Sequence, residues 1–163
     1  MRFTNLSTAI ALVALMTGAG AASAATYVYV SNADDGTIGM YTLQPDGALR
    51  PGEPAEAGKV VMPMSVSPDK HFLYAAVRSK PFTAITYAID PATGKLKQLS
   101  SAPLAESYPY IYADKTGRYL LSASYGGHQV GVNAIDPASG GLTLLQKYPT
   151  GKGWNWVKIV SFD

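Results

Sequence analysis

Three short stretches of the sequence carry side chains that could bind an anion and activate water. Arg78 and Lys80 lie in "VRSKPF", Glu106 lies in "AESYP", and Tyr125 and His128 begin and end "YGGH". A guanidinium group holds a phosphate or a carboxylate through two hydrogen bonds, and imidazole and carboxylate groups transfer protons. We therefore predict that Arg78, Lys80 and Tyr125 bind a substrate, and that His128 and Glu106 act as catalytic acid or base.

Each candidate also has a plain structural interpretation. Arg78 would then be a solvated loop charge, Glu106 would be a surface carboxylate, and His128 would be an exposed histidine beside two glycines. Asn155, close to the C-terminus, is a further candidate for substrate binding. These alternatives stay open from the sequence.

Composition and charge exclude several other kinds of site. Thirteen basic and eleven acidic side chains leave a net charge of +2, and no run of Lys and Arg alternates with aromatic residues as a nucleic-acid surface would require. The chain has no cysteine, which excludes thiol catalysis, disulfides and cysteine-bound metals. It also has no "GxSxG" or "HExxH" motif, and its two histidines are far apart. We expect no nucleic-acid partner and no metal site.

Residues 1–24 have the pattern of a signal peptide. Arg2 gives a positive start, residues 6–16 are apolar but short for a membrane span, and "ASA" ends at Ala24 with the small residues that signal peptidase accepts. The pattern predicts a periplasmic or secreted protein that begins near Ala25 and does not touch the membrane after cleavage. An uncleaved membrane anchor is the alternative.

An internal repeat supplies the elements that must position the candidate side chains. "AIDPATGKLKQL" begins at Ala88 and returns as "AIDPASGGLTLL" at Ala134, 46 residues later (134 − 88). Periods of roughly 40 to 50 residues are typical of repeat architectures. Each unit contains a β-branched and aromatic run, "YVYVSN", "FLYAAV" or "YLLSAS", and then a second extended stretch, "TIGMYTL", "AITYAID" or "QVGVNAID".

Two further strands complete each unit. The turns "QPDGAL", "DPATGKL" and "DPASGGL" reverse the chain, and Leu49, Leu96 and Leu142 begin the next strand. A fourth segment follows, in "MPMSVSPDK", "YPYIYADKTG" and "WNWVKIVSFD". Four short strands per unit, without a helical period, predict an all-β protein built from β-propeller blades of four antiparallel strands. A Greek-key sandwich is the alternative, although it would not repeat the same turn at constant spacing.

The strand order sorts the candidates onto two rims of the propeller. With the strands of a blade labelled A to D, the B–C and D–A loops share one rim, and the A–B and C–D turns share the other. The first rim receives Arg78, Lys80, Glu106, Tyr125 and His128, together with Lys59, Lys152 and Asn155. His71 falls on the opposite rim. An aromatic set could stack on a ligand or fill the space between blades: Tyr110, Tyr112, Tyr125, Trp154 and Trp156.

Three stretches resemble the seven-bladed lactonase propellers: "VSPDKHFLYAAVR", "DPATGKL" and "LLSASYGG". The resemblance covers residues 25–163. It implies an activity like that of 6-phosphogluconolactonase, which opens a sugar lactone (6-phosphogluconolactone or another aldonolactone) to the sugar acid, with no metal or organic cofactor required. In active members of the family a histidine at the start of an inner strand is thought to help form the site, and Asn155 stands near that position here.

The strand count predicts about three blades where family members have seven. The order is B-C-D, then A-B-C-D twice, then a final A strand in "NWVKIVSFD" that would pair with "YVYV". This order suggests an internally shortened or fragmentary propeller, or a small repeat protein that closes as a homo-oligomer. Three functions follow as hypotheses: a sugar-lactone hydrolase, a non-catalytic binding module, and an inactive truncated product.

Overall fold

The computed structural model describes residues 25–152, Lys158 and Val160. These residues contain twelve β-strands in three antiparallel sheets of four strands, and no helix. The prediction of an all-β protein made of four-stranded blades is therefore confirmed. The strands are β1 Thr26–Asn32, β2 Thr37–Leu43, β3 Leu49–Pro51, β4 Ala55–Glu56, β5 Val61–Val66, β6 Phe72–Val77, β7 Thr83–Ile89, β8 Leu96–Pro103, β9 Tyr110–Ala113, β10 Tyr119–Ser124, β11 Gln129–Ile135 and β12 Leu142–Pro149.

The three sheets follow the chain in order. Blade 1 contains β1 to β4, blade 2 contains β5 to β8, and blade 3 contains β9 to β12. In blades 2 and 3 each strand pairs with the next strand along the chain, as expected when short loops join antiparallel neighbours. The repeat seen in the sequence is therefore the repeat of the blades.

The outer strand of blade 1 is divided into β3 and β4, both of which pair with β2. The predicted start at Leu49 is correct, but the strand is interrupted between Pro51 and Pro54. Proline has no N–H group to donate to a neighbouring strand, which explains the interruption. Gly52 lies in the gap and donates its N–H to the Met40 carbonyl oxygen at 2.8 Å.

Strand β6 forms the centre of the packing because all six of its residues are buried. Successive side chains of a strand point to opposite faces of the sheet. Leu73 and Val77 therefore join a core between blades 1 and 2, whereas Phe72 and Tyr74 join a second core between blades 2 and 3. Blade 2 is thus packed on both of its faces.

The repeated turn provides the contact between neighbouring blades. Gly94 and Gly140 occupy equivalent places in the two turns, with φ of 72° and 66°, a region that glycine adopts without strain. The Tyr27 ring of blade 1 packs on Gly94, and the Phe72 ring of blade 2 packs on Gly140. The nearly identical turn sequences therefore serve nearly identical contacts between blades.

Candidate active site

Loops at one rim of blades 2 and 3 bring several of the candidate side chains together. Arg78 directly follows β6, Glu106 and Ser107 lie between β8 and β9, and Tyr125 directly follows β10. These are the loops that join B to C and D to A in the repeat. The site is therefore built by two neighbouring blades.

Arg78 is the centre of this cluster. Its Nε donates to Ser107 Oγ at 3.0 Å, one terminal nitrogen approaches Met62 Sδ at 3.2 Å, and the other donates to the Tyr125 hydroxyl at 3.4 Å. Its backbone N–H donates to the Val60 carbonyl oxygen at 3.0 Å. The half-buried guanidinium group is thus held by the inner strand and by two loops.

The geometry leaves part of the guanidinium group available for a ligand. A guanidinium group has five N–H donors, and the side-chain contacts among the described residues use three of them. Two donors remain in a group that its neighbours already orient. Such an arrangement can hold a carboxylate, a phosphate or a developing oxyanion at little cost in side-chain entropy.

Glu106 lies against the glycine loop of blade 3. Its Oε1 accepts a hydrogen bond from the Ser107 N–H at 2.7 Å. A Cβ atom at Gly127 would lie 2.5 Å from Glu106 Cγ and 2.9 Å from Oε2, so only glycine allows this approach. Gly127 itself donates its N–H to Ser124 Oγ at 2.9 Å. The carboxylate is therefore fixed between Ser107 and the loop that carries Tyr125.

The same carboxylate influences a buried tyrosine below the rim. Burial raises the pKa of Tyr108, and the negative charge of Glu106 raises it further. Tyr108 is 1% exposed, so its hydroxyl keeps its proton at neutral pH.

His128 follows Gly127 and has a positive φ of 50°. Its carbonyl oxygen accepts a hydrogen bond from the Thr150 N–H at 2.9 Å, which ties the loop to the end of β12. His128 is exposed at the rim. It lies one residue from the glycine that contacts Glu106, so the two acid–base candidates belong to neighbouring loops of the same rim.

The lysines of the rim are exposed and lie beside the cluster. Lys80 Nζ stands 5.9 Å from the centre of the Phe82 ring, and the Lys59 carbonyl oxygen accepts a hydrogen bond from Ser79 Oγ at 2.8 Å. Lys152 is also exposed. Asn155, Trp154 and Trp156 lie outside the described residues.

His71 stands apart from this cluster, in the loop between β5 and β6. Its Nδ1 lies 3.2 Å from Asp69 Oδ2, and both side chains are largely exposed. Hydrogen bonds from the Ser67 hydroxyl and the His71 N–H, together with the charge of His71, hold the pKa of Asp69 below its usual value against a smaller effect of burial.

Sequence reasoning missed two contacts of the cluster. Ser107 follows Glu106, and its place in a D–A loop was a usable signal, because that loop shares a rim with Arg78. Met62 was recognised only as part of a strand, and no sequence pattern indicates that its sulfur contacts a guanidinium group. Among the described residues no three acidic or histidine side chains converge as a metal site would require, and no helix there is long and apolar enough to cross a membrane.

Comparison with known proteins decides the family. A family model described as "Lactonase, 7-bladed beta-propeller" matches residues 21–158. The chain belongs to the lactonase family of seven-bladed β-propellers. The resemblance drawn from the three sequence stretches is therefore confirmed.

Relatives and solved structures agree with this assignment. This lactonase-family chain is 37% identical over 117 residues to the 6-phosphogluconolactonase of Cronobacter sakazakii, with 72% of this chain and 35% of the relative covered. It is 40% identical over 108 residues to that of Serratia proteamaculans, with 66% and 32% covered. The structure of a periplasmic gluconolactonase from Pseudomonas aeruginosa shares the fold, with a TM-score of 0.72 and 23% identity over 77% of this chain and 37% of that one. The chain spans about a third of the length of the relatives that it matches.

Proposed function

We propose that this lactonase-family chain binds and hydrolyses a sugar lactone, either 6-phosphogluconolactone or another aldonolactone, at the rim of blades 2 and 3. The observation that carries the proposal is the guanidinium group of Arg78, which Ser107, Met62 and Tyr125 orient while two of its donors have no side-chain partner among the described residues. Curated relatives of the chain are named 6-phosphogluconolactonase.

Hydrolysis of a lactone adds water to the carbonyl carbon and breaks the bond between that carbon and the ring oxygen. In the proposed reaction Arg78 and the Tyr125 hydroxyl orient the anionic or carbonyl oxygens of the substrate. Glu106 or His128 takes a proton from the attacking water. The ring oxygen gains a proton as it leaves, and the product is the open-chain sugar acid. Lys80 and Asn155 are proposed to contact the substrate.

Replacement of Arg78 in the full chain tests this proposal. The rates of acid release from glucono-1,5-lactone and from 6-phosphogluconolactone are measured above the spontaneous rates. Arg78→Ala should lower kcat/KM by about 100-fold or more, because a charged hydrogen-bonding group is lost from the site. Arg78→Lys should recover part of it, since the charge returns without the planar fork.

Arg50→Ala is the matched control, because Arg50 is an exposed arginine on β3 of blade 1. Its rate should equal that of the unaltered chain. Equal rates for Arg78→Ala and the unaltered chain would refute the assigned role of Arg78, and no turnover by the unaltered chain would refute the proposal of catalysis.

A non-catalytic binding module is the second candidate. It is favoured by the hydrogen bond from the Ser107 N–H to Glu106 Oε1, which engages one of the two carboxylate oxygens within the protein. Binding of gluconate, measured by calorimetry and lost in Arg78→Ala, together with no turnover of either lactone, would establish this alternative. If the unaltered chain neither binds gluconate nor hydrolyses either lactone, it is an inactive truncated product.

We also propose that the protein is exported to the periplasm or secreted, and that its copies associate as a homo-oligomer. The signal-peptide pattern of residues 1–24, which lie outside the described residues, supports export, and the structural relative from Pseudomonas aeruginosa is named a periplasmic gluconolactonase. Cell fractionation of the full-length protein tests the location. Light scattering tests whether copies of the chain associate as a homo-oligomer.

A further inference from the structure

Four buried polar atoms have no hydrogen-bond partner among the described residues. They are the hydroxyl oxygens of Tyr74 and Tyr108, Ser122 Oγ and Asn133 Nδ2. Tyr74 and Tyr108 belong to the core between blades 2 and 3. Buried polar groups in folded proteins are almost always hydrogen-bonded, to protein or to ordered water, so a group of such atoms at one interface needs a physical explanation.

Ser122 and Asn133 share the face of blade 3 that packs on blade 2. Ser122 lies two residues after Leu120, and Asn133 lies two residues before Ile135. Leu120 and Ile135 both belong to the core between these blades. Residues two apart in a strand point to the same face, so the side chains of Ser122 and Asn133 face blade 2.

Tyr108 reaches the same place from the loop before β9. Its hydroxyl oxygen lies 2.7 Å from the position that a Cβ atom would occupy at Gly131. Gly131 pairs directly with Ser122, and Cβ positions of directly opposite residues are about 5 Å apart. The Tyr108 hydroxyl therefore lies over the residue that pairs with Ser122, and Asn133 stands two residues further along β11 on the same face.

Gly131 makes this arrangement possible. It stands inside β11, in "QVGVNAI", where a side chain would occupy the space that the Tyr108 hydroxyl uses. Glycine inside a strand often marks the close approach of another group. The sequence of blade 3 therefore keeps a polar space open within an apolar interface.

We infer that Tyr108, Ser122 and Asn133 hold ordered water between blades 2 and 3. A buried water molecule makes about three hydrogen bonds to polar groups. Two hydroxyls, which donate and accept, and one amide N–H, which donates, supply a suitable set. This site is separate from the proposed lactone chemistry and does not depend on it.

Direct bonds elsewhere between blades 2 and 3 show that the interface accommodates polar groups. The Ala113 N–H donates to Ser65 Oγ at 2.9 Å, and Thr86 Oγ1 donates to the Gly140 carbonyl oxygen at 3.0 Å. Both bonds join blade 2 to blade 3. Water held by Tyr108, Ser122 and Asn133 would add a bridged contact to these direct ones.

The inference is tested by whether the removal of each hydroxyl lowers or raises the stability of the folded chain. Tyr108→Phe and Ser122→Ala are compared with the unaltered full chain by urea unfolding. Removal of a partner of bound water should raise the unfolding equilibrium constant about fivefold in each variant. The double variant should change it by little more than one single variant, because both hydroxyls bind the same water. Tyr112→Phe, at an exposed position of β9, is the control and should change the constant by less than twofold.

A different result would overturn the inference. If the hydroxyls are simply unpaired, each replacement removes a buried polar group without a partner, so each variant should be more stable and the two effects should add. A high-resolution crystal structure gives an independent reading. Ordered water within hydrogen-bond distance of the Tyr108 and Ser122 hydroxyls would support the inference, whereas a dry interface or a bound metal ion would contradict it.

Discussion

Between blades 1 and 2, three tyrosine hydroxyls donate directly to backbone carbonyl oxygens. Tyr27 donates to Ala92 at 2.7 Å, and Tyr29 donates to Gly94 at 2.7 Å. In addition, the Tyr87 hydroxyl donates to the carbonyl oxygen of Glu56 at 2.6 Å. Between blades 2 and 3, by contrast, the hydroxyls of Tyr74 and Tyr108 find no such partner among the described residues. One backbone repeat therefore produces two interfaces with different polar contacts.

A single cross-strand neighbour explains part of this difference. Tyr29 and Tyr74 occupy equivalent positions, each two residues after the ring that packs on the turn glycine. Tyr29 pairs with Met40, which offers no hydroxyl, so Tyr29 takes the turn carbonyl. Tyr74 pairs with Thr86, whose hydroxyl bonds to the Gly140 carbonyl oxygen. The turn carbonyl is therefore bonded by the Tyr29 hydroxyl at one interface and by the Thr86 hydroxyl at the other.

The largest effect is expected from alanine at the two turn glycines. Both positions have positive φ, where alanine is strained, and in both the new methyl group meets a ring of the preceding blade. Gly140→Ala should cost about 2 to 4 kcal/mol, because Phe72 and Thr86 are buried and cannot move away. Gly94→Ala should cost about 1 to 2 kcal/mol, because the half-buried Tyr27 can shift.

Urea unfolding of both glycine variants measures these costs. Gly47→Ala is the control, since Gly47 also has a positive φ of 85° but an added Cβ atom there would have no described residue other than its chain neighbours within 4 Å. A cost for Gly140→Ala no greater than that for Gly47→Ala would show that the contact between ring and turn does not tighten the interface.

A smaller loss of stability is expected from phenylalanine at the two equivalent tyrosines, and the loss should differ between them. Burial is the main cause that raises the pKa of both Tyr29 and Tyr74 to about 12, so both hydroxyls are protonated donors at neutral pH. Tyr29→Phe should cost about 1 kcal/mol, because a direct hydrogen bond is lost. Tyr74→Phe should cost less, because Thr86 keeps the turn carbonyl bonded. The comparison fails if thermal or urea unfolding gives Tyr74→Phe the greater cost.

The smallest expected effect is the loss of folding stability at low pH, which should be similar at the two interfaces. The side-chain hydrogen bond from Thr93 and the backbone bond from Ala92 hold the pKa of Asp90 below its usual value. Backbone and hydroxyl bonds from Ser139 do the same for the pKa of Asp136. A lowered folded-state pKa means that the stabilisation is present above about pH 4 and is lost as the pH falls through the folded-state pKa.

Unfolding midpoints between pH 2 and pH 6 test this expectation. Asp90→Asn and Asp136→Asn should each reduce the loss of stability on acidification, and by similar amounts. Asp35→Asn, in the exposed turn after β1, is the control for the loss of a surface carboxylate. A pH response that is confined to one of the two turns would show that the interfaces also differ in their turn electrostatics.

Much of the fold could be predicted from the sequence because the blade repeat is local. Alternating apolar runs and turn residues within a few positions of one another predict strands such as Phe72–Val77 and Tyr119–Ser124. The interrupted outer strand of blade 1 was not predicted, although Pro51 and Pro54 were visible signals. At the candidate site, strand order alone assigned Arg78, Glu106 and Tyr125 to the same rim, because loop positions follow from strand direction.

The sequence alone determined most of the strands, their order and the repeated turns, because these depend on the periodicity and turn chemistry of neighbouring residues, and the family followed from the resemblance of three stretches to known propellers. The tertiary structure decided which polar groups meet across the blades. Arg78 meets Tyr125, and Thr86 bonds to the Gly140 carbonyl oxygen, only because blades 2 and 3 pack against each other in one particular way. Contacts between residues distant in sequence depend on that packing, and no local pattern encodes it.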